Sequence, residues 1–229
     1  MSYTQRKRLI ILDADGTTID AYAAIESAFQ RHEMTLGDEE SFQKRHKIFK
    51  YLGGIKEFPS NLRKNITSHS RKEIVSTLTE IYRAEAKLYP GMAEFIQRLI
   101  QAPNVIVGMV TRNITDEPLE TLRQLFARYD IDTNEFDFFM HVPLSEKKTT
   151  YFKQVRESFE INPACAGICG DEHKDYLAAL ATGMHPFIVS YGFENFMRLT
   201  TKFAIPEEII SRTPFELKER VFNSLNLPS

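Results

Sequence analysis

Runs of aliphatic residues separated by amphipathic stretches are the main pattern along the chain. Leu9-Ile10-Ile11-Leu12 is apolar at every position, as is typical of a strand that is covered on both faces in a parallel sheet. Similar runs predict further strands at residues 105–110, 136–142, 166–169 and 187–189. Apolar residues at helical spacing predict helices between them, at 92–101, 118–129, 149–159 and through 176–180. This alternation predicts an α/β fold with a doubly wound, Rossmann-like parallel sheet.

Residues 20–89 differ from the rest, because their spacing predicts helices and no convincing strand. Ser70-Arg71-Lys72-Glu73 has the form of a capping box at the start of one helix, and Gly53-Gly54 predicts a bend. Roughly seventy helical residues far exceed an ordinary strand-to-helix connection. We therefore predict an inserted α-helical cap domain at 19–88 and a core domain formed by 1–18 and 89–229.

Composition excludes several classes of function. The 229 residues are 42% apolar and 26% charged with a net charge of −2, which is ordinary for a globular protein and argues against a nucleic-acid surface. The basic start of the chain is followed by an apolar run that ends at Asp13, too early for a signal peptide, and no segment has the length of a transmembrane helix. Cys165 and Cys169 have no second pair for a zinc site, so we expect buried thiols. These features predict a soluble cytoplasmic protein.

Two carboxylates follow the first predicted strand. Side chains two apart in extended backbone share a face, so Asp13 and Asp15 point the same way. Two buried carboxylates repel each other and need a cation or a shared proton, and Mg²⁺ with a substrate phosphate fits that need. Thr111 and Asp171 also fall at the carboxyl ends of strands, where parallel sheets bind ligands. We expect these side chains to converge on one crevice.

The order of these residues resembles that of a known superfamily. Asp13-Ala14-Asp15-Gly16-Thr17, Thr111, a lysine at 147 or 148, and Gly170-Asp171-Glu172-His173-Lys174-Asp175 are similar to the motifs of the haloacid dehalogenase superfamily. The helical insertion resembles the first cap class of that superfamily, and Tyr89-Pro90-Gly91-Met92 resembles the return to the core in phosphoglycolate-phosphatase-like members. The resemblance covers the whole chain. Thr18 in place of a more usual aliphatic residue and the missing proline after the lysine depart from the pattern.

The resemblance implies a role for each motif residue. Asp13 would be the nucleophile that forms an aspartyl-phosphate, and Asp15 the acid and base for the leaving oxygen and the attacking water. Asp15 also favours phosphoryl chemistry, because dehalogenating members lack an acid at this position. Thr111 would bind the phosphoryl group, with Arg112 and Asn113 as further candidates for substrate binding.

The lysine of the third motif would neutralise charge on the phosphate and the nucleophile. Lys148 is preferred to Lys147, because the residues after Lys148 resemble those after the motif lysine of related phosphatases. Lys56 lies where the cap of similar proteins faces the site, so it is a candidate contact for an anionic substrate, although a surface lysine is the commoner case.

The resemblance also implies Mg²⁺ bound by Asp13, the backbone carbonyl of Asp15, and Asp171. Asp175 lies one helical turn beyond Asp171, so we expect it to orient water or the lysine. Glu172 and His173 are expected to face solvent.

The sequence is compatible with three functions. The preferred one is a Mg²⁺-dependent phosphatase, a phosphoric monoester hydrolase, that acts on a small phosphorylated metabolite as a monomer or a homodimer. A phosphomutase for a sugar phosphate would use the same motifs. A non-catalytic phospho-ligand-binding regulator is the third, although the intact motif residues argue against it.

Overall fold

A parallel sheet forms the centre of the molecule, whose computed structural model describes residues 7–34, 52 and 70–228. Its strands run in the order β3-β2-β1-β4-β5-β6, and every neighbouring pair is parallel. The strands are β1 Arg8–Leu12, β2 Val105–Thr111, β3 Phe138–His141, β4 Ala166–Gly170, β5 His185–Val189 and β6 Ile210–Ser211. The doubly wound α/β fold predicted from the sequence is confirmed.

Strand β1 occupies the middle of the sheet because its side chains are apolar on both faces. Ile10 and Leu12 lie in the larger core cluster, and Leu9 and Ile11 in the second cluster on the opposite face. Leu9 is level with Ile106 of β2 on one side and Ala166 of β4 on the other. The carboxyl end of β1 therefore opens where the strand order reverses, the usual place for a ligand in this architecture.

The helices pack on the sheet and above its carboxyl edge. In chain order they are α1 Ala21–Arg31, α2 Arg71–Ala84, α3 Met92–Gln101, α4 Pro118–Ala127, α5 Lys148–Ser158, α6 His173–Thr182 and α7 Pro214–Leu225. Helix α2 begins at the predicted capping box, in which the Glu73 amide donates to Ser70 Oγ at 3.3 Å and the Ser70 amide donates to Glu73 Oε2 at 2.6 Å. Within the described residues, no helix has the length and apolarity needed to cross a membrane.

The segment that connects β1 to α1 runs beside the segment that follows α2. The Asp20 amide donates to the Lys87 carbonyl at 2.9 Å, and the Tyr89 amide donates to the Thr18 carbonyl at 3.0 Å. Ile19 and Leu88 form an antiparallel bridge between these bonds. These two connecting segments therefore lie side by side at the boundaries expected for the cap. The division into core and cap stays a prediction.

Helix α2 is fixed along its carboxyl-terminal half to residues that follow β2. Thr79 Oγ1 accepts from the Asp116 amide at 2.9 Å, and Arg83 Nε donates to Thr121 Oγ1 at 3.1 Å. Arg128 donates to the carbonyl of Ala84, the last residue of the helix, at 2.6 Å. These bonds hold the end of α2 against the segment that follows β2.

Several expectations differ from the structure in detail. Cys169 is buried as expected, whereas Cys165 is half-buried, and both are free thiols. Strand β6 has two residues, too few for a pattern of apolar positions, so the sequence did not reveal it. The expected bend at Gly53-Gly54 lies outside the described residues.

Candidate active site

Asp13 follows directly on β1 and keeps the direction of the sheet. Its amide donates to the Cys169 carbonyl of β4 at 3.0 Å, and its carboxylate oxygen Oδ1 accepts from the Ala14 amide at 2.9 Å. Gly16 then turns the chain at a φ of +80°. A Cβ at this position would lie 2.2 Å from Asp171 Oδ2, so the turn brings backbone directly against a second acidic strand end.

Lys148 lies at the first position of α5 and reaches two acidic side chains. Its Nζ donates to Asp13 Oδ2, and it donates to Asp175 Oδ1 at 3.1 Å. Burial alone lowers the pKa of Lys148, but Asp13 and Asp175 together raise it above its usual range. Lys148 is therefore a permanent cation in the crevice, while the competing candidate Lys147 is exposed.

The pKa of Asp13 is raised to about 7, chiefly because the carboxyl group is buried. The ammonium group of Lys148 opposes this shift, and the neighbouring charge of Asp175 adds to it. A bound cation would favour the ionised form of the same carboxyl group.

Asp13, Asp171 and Asp175 each present a carboxylate oxygen, and these atoms lie within 4.8 Å of one another. Asp171 is buried at the end of β4, where its Oδ2 accepts from the Phe193 amide at 2.6 Å. Burial and then the charge of Asp13 raise the pKa of Asp171 well above its usual range. Three buried carboxylate oxygens this close together form a donor set suited to a hard divalent metal ion, since a cation would offset their mutual repulsion.

Asp15 is held by two donors from different parts of the chain. Tyr82 of helix α2 donates its hydroxyl to Asp15 Oδ1 at 2.8 Å, and Asn113 Nδ2 lies 3.1 Å from both carboxylate oxygens. Burial raises the pKa of Asp15, and the bonds from Tyr82 and Asn113 counteract part of that shift. Burial also raises the pKa of Tyr82 well above its usual range, so the phenol remains a donor.

Tyr82 was missed as a site residue in the sequence. Its spacing places it on the buried face of α2 with Leu78 and Ile81, where a tyrosine is most simply a core residue. Nothing in a local pattern reveals that its hydroxyl meets a residue 67 positions away. The one available signal is general, since a buried tyrosine hydroxyl needs a hydrogen-bond partner.

The remaining predicted site residues differ in where they lie. Thr111 is buried at the end of β2, where its Oγ1 accepts from the Asn113 amide at 3.2 Å. The guanidinium group of Arg112 instead contacts the Glu146 carbonyl, in the loop before α5. Lys56 lies outside the described residues.

The expectation that Glu172 and His173 face solvent is wrong. Both are half-buried, and the ring of His173 stacks on Phe203 with centroids 3.8 Å apart. The fully buried carboxylate of Glu194 accepts from the His173 amide at 2.6 Å and lies 3.0 Å from its Nδ1. The chain after β5 therefore folds over the start of α6, an approach that the sequence around His173 does not encode.

A cavity of about 590 Å³ opens between helix α2 and the loops after β2 and β3. Asn113 lines it, as do Arg71 and Lys72 from the start of α2. The cavity therefore adjoins the Asp15 side of the site and combines cationic, polar and apolar walls.

A parallel sheet with a lysine and four buried aspartates at the carboxyl edge of its central strands defines a recognisable class of α/β enzyme. Residues 10–189 match the family model of the haloacid dehalogenase-like hydrolases, and the chain belongs to this family. The expected superfamily and the expected enzyme class are thereby confirmed, and the assignment is consistent with a phosphoric monoester hydrolase. A sequence comparison with curated proteins finds no significant match.

Solved structures share the fold over nearly their whole length. A predicted phosphoglycolate phosphatase from Haemophilus somnus is 18% identical with a TM-score of 0.63, covering 95% of this chain and 99% of that one. A candidate β-phosphoglucomutase from Thermotoga maritima is 16% identical with a TM-score of 0.62, covering 94% and 99%. CbbY from Rhodobacter sphaeroides in complex with phosphate is 17% identical with a TM-score of 0.57, covering 83% and 89%.

Proposed function

We propose that this protein is a Mg²⁺-dependent phosphatase that hydrolyses a small phosphorylated metabolite through an aspartyl-phosphate. The observation that carries the proposal is the contact of one lysine, Lys148, with both Asp13 and Asp175 beside the acid Asp15. A nucleophilic carboxylate, a fixed cation and a separately held carboxyl group are the parts that a two-step phosphoryl transfer requires.

In the first step, a carboxylate oxygen of Asp13 forms a bond to phosphorus while the bond from phosphorus to the leaving oxygen breaks. Lys148 reduces the repulsion between the anionic nucleophile and the anionic phosphate. Asp15 gives its proton to the leaving oxygen, so that an alcohol departs. The raised pKa of Asp15 supports this role, because a general acid must hold a proton near neutral pH.

In the second step, water attacks phosphorus and the bond to Asp13 breaks. Asp15, now ionised, takes a proton from that water, so the products are phosphate and the regenerated enzyme. Thr111 and the amide groups beyond β2 would bind the phosphoryl oxygens, with Asn113 close by. Arg112 and Lys56 are proposed as weaker contacts to the substrate.

Asp13, Asp171 and the backbone carbonyl of Asp15 are the proposed Mg²⁺ ligands, and the close set of acidic oxygens supports this assignment. When bound, the ion would offset negative charge on the phosphoryl group. Asp175 is proposed to position Lys148 through the bond at 3.1 Å, and a carboxylate oxygen of Asp175 lies within 4.8 Å of those of Asp13 and Asp171.

The proposed cap, residues 19–88, would close over the crevice and select the leaving group. The two connecting segments, which pair at Ile19 and Leu88, support hinges at these positions. The volume of the adjoining cavity, about 590 Å³, suits a small metabolite. We retain a cytoplasmic location as a prediction.

The test is phosphate release from a panel of phosphorylated metabolites and p-nitrophenyl phosphate, with and without Mg²⁺. Release that requires both Mg²⁺ and Asp13, with Asp13→Asn as the inactive control, is the expected result. No release from any compound would contradict the proposal. Conversion of a hexose 1-phosphate to its isomer, followed by phosphorus NMR, would identify a phosphomutase instead.

A further inference from the structure

The hydroxyl group of Tyr82 connects helix α2 to the carboxyl group of Asp15. Tyr82 is 1% exposed, and its hydroxyl donates to Asp15 Oδ1 at 2.8 Å. The two residues lie in different predicted domains, so this contact crosses from the cap to the core. It gives the cap a direct connection to a group that takes part in the chemistry.

Asn113 supplies the second donor to Asp15, from the core side. Its Oδ1 accepts from the Thr115 amide at 3.0 Å, which fixes the orientation of the side-chain amide and turns Nδ2 towards Asp15. Asp15 therefore lies between a donor on the loop after β2 and a donor on α2.

Two donors from different directions fix the rotation of the Asp15 carboxyl group. Oδ1 accepts from both Tyr82 and Asn113, whereas Oδ2 accepts from Asn113. A freely rotating carboxyl group would present either oxygen to the leaving group, whereas the pair of donors favours one orientation. Fixed orientation of a proton donor contributes directly to the rate of proton transfer.

The position of Tyr82 depends on the contact of α2 with the core. Arg83, the next residue, donates to Thr121 Oγ1 at 3.1 Å, and Thr79, one turn earlier, accepts from the Asp116 amide at 2.9 Å. Both partners belong to the segment that follows Asn113. The contact between α2 and this segment therefore fixes the positions of the two donors to Asp15 relative to each other.

We propose that Tyr82 is a positioning residue for Asp15, and that docking of α2 on the core completes the orientation of this general acid. The inference rests on the proposed phosphatase function and deepens it. Tyr82 takes no part in the bond changes. It acts through Asp15, which transfers its proton to the leaving oxygen as the phosphorus–oxygen bond breaks.

The experiment compares Tyr82→Phe with the wild type on two substrates that differ in their need for an acid. An alkyl phosphate such as phosphoglycolate has a leaving group that must be protonated, whereas p-nitrophenolate departs without a proton. The quantity measured is kcat/KM, which reports the steps up to departure of the leaving group. Tyr82→Phe is expected to lower kcat/KM by about tenfold or more on the alkyl phosphate and by less than about threefold on p-nitrophenyl phosphate.

Two controls separate positioning from a general loss of structure. Tyr129→Phe removes a hydroxyl that accepts from the Leu88 amide at 3.1 Å, another contact between core and cap that does not touch Asp15. It should leave the ratio of the two kcat/KM values unchanged. In an Asp15→Asn background, Tyr82→Phe should cause no further loss on the alkyl phosphate, because its route of action is already removed.

Equal losses on both substrates, or an undiminished loss in the Asp15→Asn background, would overturn the inference while leaving the phosphatase proposal intact. A wild-type protein that releases no phosphate from any compound of the panel would overturn the proposed function and this inference with it.

Discussion

Lys148 Nζ lies 3.1 Å from Asp175 Oδ1 and at the same time contacts the carboxylate of Asp13. One cation thus serves an acid that follows β1 and an acid in the first turn of α6, and a third acid, Asp171, lies close by. Much of the local charge balance therefore rests on a single side chain.

Replacing Lys148 by methionine should abolish most of the activity and destabilise the metal-free protein. The change keeps most of the length of the side chain but leaves Asp13 and Asp175 without this counter-ion. We expect kcat/KM to fall by about 10²–10³-fold and the free energy of unfolding at neutral pH to fall by about 3 kcal/mol.

Steady-state kinetics and urea denaturation would measure these changes. Lys147→Met is the matched control, because the neighbouring lysine is exposed, and it should behave as the wild type. Similar losses in both variants would contradict the assignment of Lys148.

Asp175→Asn should separate the positioning of Lys148 from direct binding of the metal ion. The amide retains the shape of the carboxyl group, but it removes the charge that faces Lys148 and weakens the bond that Oδ2 accepts from the Glu172 amide at 3.2 Å. We expect kcat to fall by about 10–100-fold, with a smaller loss of Mg²⁺ affinity than in Asp171→Asn. Calorimetric titration with Mg²⁺ would test this order, and equal losses of affinity would make Asp175 a ligand.

The stability of the metal-free protein should decrease as pH rises from about 4 to 7. The pKa of Asp13 is raised from 3.8 to about 7 in the folded state, so the folded protein binds a proton more tightly than the unfolded chain does in this window. Stability must then fall with increasing pH, and the contribution of Asp13 is constant above its folded-state pKa.

Mg²⁺ should oppose this trend, because the proposed metal site would use the ionised form of the Asp13 carboxyl group. The rise in melting temperature on adding Mg²⁺ should therefore be larger at about pH 8 than at about pH 6. Asp13→Asn is the control, and it should show a weaker dependence on pH. A Mg²⁺ effect that is the same at both pH values would contradict the prediction.

Two glycines with nearly the same backbone conformation provide a further test. Gly16 has a φ of +80° and Gly91 a φ of +78°, so alanine is strained at both positions. A Cβ at Gly91 meets no heavy atom within 4 Å, whereas at Gly16 it would lie 2.2 Å from Asp171 Oδ2.

We expect Gly91→Ala to lower stability by about 1 kcal/mol with normal activity. Gly16→Ala should cost more and also reduce Mg²⁺ affinity, because Asp171 must move. Thermal melts with and without Mg²⁺ would distinguish the two effects. Unchanged Mg²⁺ binding in Gly16→Ala would show that the position of Asp171 is unimportant.

The sequence allowed the sheet and its strand ends to be predicted because both depend on local patterns. Continuous apolar runs marked β1 and β2, and the acids that end β1 and β4 stand next to such runs. What could not be predicted depends on the path of the chain between distant elements. Tyr82 reaches Asp15 only through the docking of α2, and His173 is covered by a segment that follows β5.

The central place of β1 also has a consequence for how the polypeptide folds. Leu9 pairs with Ile106 on one side and Ala166 on the other, so β1 leaves the ribosome long before either neighbour exists. Such distant pairing slows folding, and an unpaired aliphatic segment invites association with other chains. Arg8 and Asp13 enclose that segment, in the positions where flanking charges discourage aggregation. By this argument, the charge of the proposed nucleophile would also discourage aggregation of the nascent chain before the site has formed.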